Sequence, residues 1–146
     1  MTASELQTKI TTAYNGLNVN TLASLDDFYS TEVEFHDPMS SMHGLDKLKG
    51  YYRNMYKNVK SIHFDIQKFI IDADHNVALT WVMTYSSDSL NGGRPIMVPG
   101  TSILKFNEDN KVYYHRDYFD NGAMVYEHIP VLGFFVRKIK EGLSVD

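Results

Sequence analysis

The spacing of apolar residues changes once along the chain, near Lys60, and that change divides it. Before it, Leu6, Ile10, Tyr14 and Leu17 recur at helical intervals behind Ser4-Glu5-Leu6-Gln7, which reads as a capping box and predicts a first helix with Tyr14 on its buried stripe. A short second helix is predicted from Asn20, a good cap, with Leu22, Leu25, Phe28 and Tyr29 inside. Residues 32–38 alternate as a short strand, with Val33, Phe35 and Asp37 on the inner face and Glu34 and His36 on the other. Residues 38–44 are expected to be loop. Gly44 then opens a third helix with Leu45, Leu48, Tyr52, Met55 and Tyr56 along one side.

After Lys60 the period is two. Ile62, Phe64 and Ile66 alternate, and then the phase moves to Phe69 and Ile71, which predicts a bulge near Gln67-Lys68. Asp74-His75-Asn76 is a turn. Residues 77–87 form a long strand on which Val77, Leu79, Trp81, Met83 and Tyr85 make one apolar stripe, against Ala78, Thr80, Val82, Thr84 and Ser86. Asn91-Gly92-Gly93 marks a hairpin, residues 94–106 return with an interruption at Pro99-Gly100, and residues 107–110 lead into a last strand over 111–120. Residues 122–129 have helical potential that ends at Pro130, and residues 131–142 mix apolar with basic side chains, as a helix packed over the end of a sheet would. The order predicts one α+β domain over 1–146: a curved antiparallel sheet wrapped on three N-terminal helices, with a C-terminal helical segment. The Trp81 stripe, read as an exposed sheet face, would leave a large apolar patch in water, so a homodimer through that face is expected.

Composition narrows the function classes. A net charge of −4 with no long basic run argues against nucleic acid as a partner. The absence of cysteine excludes a disulfide framework and thiolate chemistry. The start, MTASELQTKI, has neither a basic nor an apolar leader region, and no stretch reaches the ~18–20 apolar residues of a membrane span, so a cytoplasmic protein away from membranes is expected. There is no glycine-rich phosphate loop, no G-x-S-x-G elbow and no H-E-x-x-H helix, so no cofactor and no metal is expected. Ten Tyr and eight Phe suit a pocket lined by rings.

The candidate chemistry lies in KVYYHRDYFD. As a strand it turns Tyr113, His115, Asp117 and Phe119 to one face, placing an imidazole and a carboxylate two residues apart among aromatic rings. Aspartate is rarely buried unless paired or working. A structural His115–Asp117 hydrogen bond and a catalytic acid/base site both account for the pattern. Asp37, before Pro38, fits either a turn cap or a second carboxylate at the inner face.

In element order the whole chain resembles the nuclear transport factor two-like superfamily of cone-shaped α+β barrels, and within it the SnoaL-like group. Phe35-His36-Asp37-Pro38 is similar to the strand end of steroid Δ-isomerases, where Asp37 falls on the proton-shuttling aspartate, Tyr14 on the oxyanion-hole tyrosine and Ser102 near the protonated aspartate. His115-Arg116-Asp117-Tyr118-Phe119-Asp120 resembles the W-R-D-Y-F-D run of limonene epoxide hydrolase, with Asp117 on the water-activating aspartate. Val82 and Thr84 fall where that enzyme carries an arginine and a second aspartate, and Asp37 where it carries an asparagine, so epoxide hydrolysis is not implied. SnoaL-type aldol cyclases use an aspartate on the same last strand, again Asp117.

The resemblance implies a small apolar ligand in the cone. It also implies a cofactor-free enzyme with Asp117 as base, His115 as its partner or relay, Asp37 as a second acid/base, and Tyr14 and Ser102 as donors. Phe35, Tyr113, Phe119, Val82 and Thr84 would line the pocket. The alternative is a non-catalytic dimeric module that binds a ligand or a partner protein. An open cone with Asp117 at its base favours the enzyme, and a cone filled by its own side chains favours the module.

Overall fold

A computed structural model describes residues 1–145. Helix α1 (Ala3–Gly16) is capped two residues before the predicted box. Thr2, not Ser4, is the cap: its hydroxyl accepts from the Glu5 amide at 3.1 Å, and the Glu5 carboxylate accepts from the Thr2 amide at 2.7 Å. Thr2-x-x-Glu5 and Ser4-x-x-Gln7 fit the same template, and the charged member at the positive helix end prevails. A 3₁₀ turn over Leu22–Ser24 leads into the single-turn α2 (Leu25–Phe28), and the next residue already begins β1 (Tyr29–His36). The segment expected to be loop contains a short strand, β2 (Ser41–His43), and α3 (Leu45–Tyr56) follows Gly44.

Four more strands follow, β3 (Ser61–Ile71), β4 (Asn76–Ser86), β5 (Ile96–Phe106) and β6 (Val112–Phe119). They join the first two in one sheet of order β2-β1-β6-β5-β4-β3. The ladder skips Gln67 between Ile66 and Lys68, which is the predicted bulge. The expected all-antiparallel sheet needs one correction, since β1 pairs with β6 in parallel. Side-chain alternation is identical in parallel and antiparallel strands, so the pattern held no record of direction.

A second correction concerns Trp81. Val77, Leu79, Trp81, Met83 and Tyr85 are all nearly inaccessible, with Trp81 2% exposed, because this is the inner face of β4. They join Leu6, Ile10, Phe28, Val33, Phe35 and Leu48 in one core between sheet and helices. The homodimer expected through this stripe therefore loses the exposed patch on which it rested. The outer face carries the partly exposed Ala78, Thr80, Val82 and Thr84. The Pro99-Gly100 interruption does not break β5. Gly100 pairs with Trp81, and a Cβ there would lie 2.2 Å from an indole carbon, so the missing side chain is the seat of the ring.

Asp120 ends β6 and caps α4 (Asn121–Met124), accepting from the Gly122 amide at 2.8 Å. Pro130 ends the preceding turn and occupies the first turn of α5 (Pro130–Leu143), where its missing N–H costs nothing. Helix α5 is tethered by Lys140, which donates to Asp120 and Glu127. It does not lie over the sheet end as expected. Val131, Phe134, Phe135, Ile139 and Leu143 are exposed, and only Gly133 is buried, against the Glu127 carbonyl. Among the described residues no helix is long and apolar enough to cross a membrane.

Candidate functional site

Sheet and helices enclose a cavity of about 290 Å³. Its walls are apolar and aromatic, and Asp37, His115 and Asp117 reach it. Phe35 and Phe119 line it as expected. Tyr113 does not: β6 carries a bulge opposite Lys105 and Phe106, so Val112 and His115 point inward and Tyr113 is 44% exposed. Strict alternation from His115 back to Tyr113 missed that extra residue. Val82 and Thr84 also lie outside the cavity, because they share the outer face of β4.

The remaining predicted residues converge. Asn15 ties α1 to β3 through two bonds with the Phe64 backbone, at 3.1 and 2.9 Å, and so places Tyr14 over the sheet. The Tyr14 hydroxyl donates to Ser102 Oγ at 2.7 Å, and Trp81 Nε1 donates to the same oxygen at 2.9 Å. Ser102, fully buried, donates in turn to Asp117 Oδ1 at 2.6 Å. On the other side His115 Nε2 lies 2.6 Å from the same Oδ1, and its Nδ1 lies 2.7 Å from the Tyr29 hydroxyl, which is 3.1 Å from that of Tyr52.

Proton directions follow from the two ends. Indole N–H can only donate and an ionised carboxylate can only accept. Ser102 therefore receives from Trp81 and Tyr14 and gives to Asp117. With the imidazole neutral, His115 gives its Nε2 proton to Asp117, takes one from Tyr29 at Nδ1, and Tyr52 supplies Tyr29. Burial pushes the Tyr29 and Tyr52 hydroxyls up, and burial followed by the Asp117 charge does so for Tyr14, so these phenols hold their protons at neutral pH. Both branches end on Asp117 Oδ1. Oδ2 has no hydrogen-bond partner among the described residues.

Two expected roles change with this geometry. Tyr14 and Ser102 each have one hydroxyl hydrogen, and each spends it inside the network, so neither points a free donor at a ligand. Asp37 is both turn cap and cavity residue. Its Oδ1 accepts from the Met39 and Ser40 amides at 2.8 Å each, and its Oδ2 accepts from the Tyr51 hydroxyl. Its carboxylate is thus engaged at both oxygens, whereas that of Asp117 is engaged at one. Tyr29, Tyr52, Tyr51 and Trp81 were missed as site residues. Periodicity marked Tyr29 and Tyr52 as buried but left Tyr51 off the inner stripe and read Trp81 as exposed, and nothing in it tells where a hydroxyl or indole N–H points.

Ser102 is the hub on which two donors depend. Ser102→Ala would strand the Trp81 N–H and the Tyr14 O–H in a buried place, and each stranded group costs ~1–3 kcal/mol. We expect denaturant unfolding to show a loss of about 2–3 kcal/mol. An unchanged midpoint would mean that these donors find other partners.

A model of the SnoaL-like domain matches residues 10–115, well over half of the chain. The chain belongs to the SnoaL-like family. No curated protein sequence matches it. Solved structures share the fold at low identity. A protein of ketosteroid isomerase-like fold from Catenulispora acidiphila, in complex with trimethylamine, superimposes with a TM-score of 0.70 at 20% identity over 87% of this chain and 93% of that one. A protein named as a SnoaL-like polyketide cyclase from Jannaschia gives 0.70 at 12% identity, covering 83% and 89%. A similarly named protein from Shewanella putrefaciens gives 0.68 at 18%, covering 83% and 91%. The family match ends at His115 and so stops two residues short of Asp117. For this SnoaL-like chain the site must be argued from its own geometry.

Proposed function

We propose that the protein is a cofactor-free acid–base enzyme acting on a small apolar ketone, with Asp117 as the base that removes a proton from the carbon next to the carbonyl. One observation carries this reading: Asp117 reaches an apolar cavity with Oδ2 unpartnered while Oδ1 is held by two converging donors. A carboxylate held in that way, and only partly hydrated, is aimed and ready to accept a proton. His115 is the positioning residue, since it fixes the Asp117 carboxylate through Nε2 and is itself fixed through Nδ1 by Tyr29. Removal of the α-proton sends the C–H electron pair into the new C–C double bond and the carbonyl π pair onto oxygen. The proton returns from Asp117 to the same carbon, or to another one in an isomerisation or cyclisation. The open cavity favours this reading over the purely binding module, as does the likeness of the fold to proteins named as isomerase-like and cyclase-like.

2-Tetralone, a bicyclic ketone with acidic α-protons, tests it. In buffered D₂O the protein should accelerate α-deuterium incorporation over protein-free buffer, as followed by NMR. Equal rates with and without protein would sink the reading.

A further inference from the structure

An acid–base site that makes an enolate needs a donor for the developing oxygen charge, and the Tyr14–Ser102 branch has none to spare. We propose that Tyr56 is this donor, and that the ligands of the cavity are therefore enolisable ketones which set the carbonyl oxygen on the Tyr56 hydroxyl and the α-carbon on Asp117 Oδ2. The proposal rests on Asp117 being the base, as argued above, and its test separates the two.

Tyr56 is the last residue of α3, its ring buried edge-on against Tyr52 with centroids 6.1 Å apart, and it lines the cavity. Its backbone carbonyl accepts from the Val59 amide at 3.1 Å, which closes the end of the helix and holds the residue in place. Five other phenols lie against the same core, and every one has a hydroxyl partner: Ser102 for Tyr14, His115 for Tyr29, Tyr29 for Tyr52, Asp37 for Tyr51 and the Met124 carbonyl for Tyr85. Tyr56 alone among these has no hydrogen-bond partner among the described residues. The ring is buried but the hydroxyl is not one of the fully buried unpartnered atoms, so its uncommitted hydrogen has open space beside it at the cavity wall, where a ligand oxygen would accept it. Burial first and the Asp117 charge second push the Tyr56 hydroxyl up, so it stays protonated and it feels the carboxylate across the cavity. In the reaction Tyr56 keeps its proton. It gives a hydrogen bond that strengthens as negative charge grows on the carbonyl oxygen, while the α-proton goes to Asp117.

The test uses 2-naphthol, which has the shape of the enol of 2-tetralone, and naphthalene, which lacks the oxygen. Both are titrated by fluorescence into the parent protein, Tyr56→Phe and Asp117→Asn. The expected result is that Tyr56→Phe weakens 2-naphthol roughly tenfold, the worth of one good hydrogen bond, and leaves naphthalene within about twofold. Its thermal midpoint should be unchanged, because the hydroxyl has no protein partner to lose. Tyr56→Met is the second variant if Tyr56→Phe does not fold. Equal 2-naphthol affinity in the parent and Tyr56→Phe overturns the proposal, as does equal weakening of both probes, which would assign Tyr56 to packing. If Asp117→Asn leaves 2-naphthol binding unchanged while Tyr56→Phe weakens it, the base assignment fails and the donor stands. Uptake of neither probe by the parent protein overturns both.

Discussion

Asp117→Asn is expected to lower protein-catalysed deuterium exchange into 2-tetralone at least 100-fold, to the level of buffer, with the thermal midpoint nearly unmoved. A positioned general base contributes ~10²–10⁴-fold, and an amide in its place cannot take up the proton. The side-chain shape is retained, and the Asn oxygen can still accept from Ser102 and His115 where Asp117 Oδ1 does now. Two charge-assisted bonds become ordinary ones, which is a loss, and a carboxylate no longer has to be held in an apolar wall, which is a gain. These oppose each other, and we expect a net change within about 1 kcal/mol, of the size of a single hydrogen bond. Asp37→Asn is the control. Its carboxylate is committed to the turn and Tyr51, so exchange should fall by less than tenfold. Should Asp117→Asn unfold several degrees earlier while retaining exchange, Asp117 would be a structural partner of His115, and the catalytic assignment would fall.

The largest stability effect is expected from a single added methyl group. Gly100→Ala places its Cβ 2.2, 2.5 and 2.6 Å from three carbons of the Trp81 ring. The ring has little freedom to withdraw. Its N–H is bonded to Ser102, it meets Phe64 edge-on at 5.3 Å, and Phe119 lies 6.3 Å away. Overpacking of this kind costs ~1–3 kcal/mol and sometimes more, and here the upper end applies because relief would also break a buried hydrogen bond. Calorimetry should find the midpoint lowered by roughly 10 °C, given ~2–4 °C per kcal/mol for a chain of this size. Trp81 lines the cavity, which offers the indole a space to move into. A shift under about 3 °C together with loss of 2-naphthol binding would show that Trp81 had swung into it.

The boundary between what was legible and what was not follows from the kind of information a pattern holds. Periodicity reports which side of an element is apolar. It therefore located the helices, six strands but for the three-residue β2, and the Gln67 bulge, where the phase visibly shifts from Ile66 to Phe69. The pairing of His115 with Asp117 was also legible, because two residues one pleat apart must share a face. The β6 bulge was not, since Tyr113 and Tyr114 are equally apolar and no phase change marks it.

Only the tertiary structure decided which face of β4 is covered. Trp81 looked like an interface residue until the helices closed over it, because both faces of that strand are partly apolar and burial depends on what packs there from elsewhere in the chain. The same holds for the hydroxyls. The sequence alone determined that Tyr14, Tyr29, Tyr52 and Tyr56 would lie inside, through helix spacing and strand phase. Which of them would be bound into the Asp117 network, and which left with a free hydrogen, depended on ångström-scale distances between segments up to about a hundred residues apart. Hydrogen bonding is directional where burial is not.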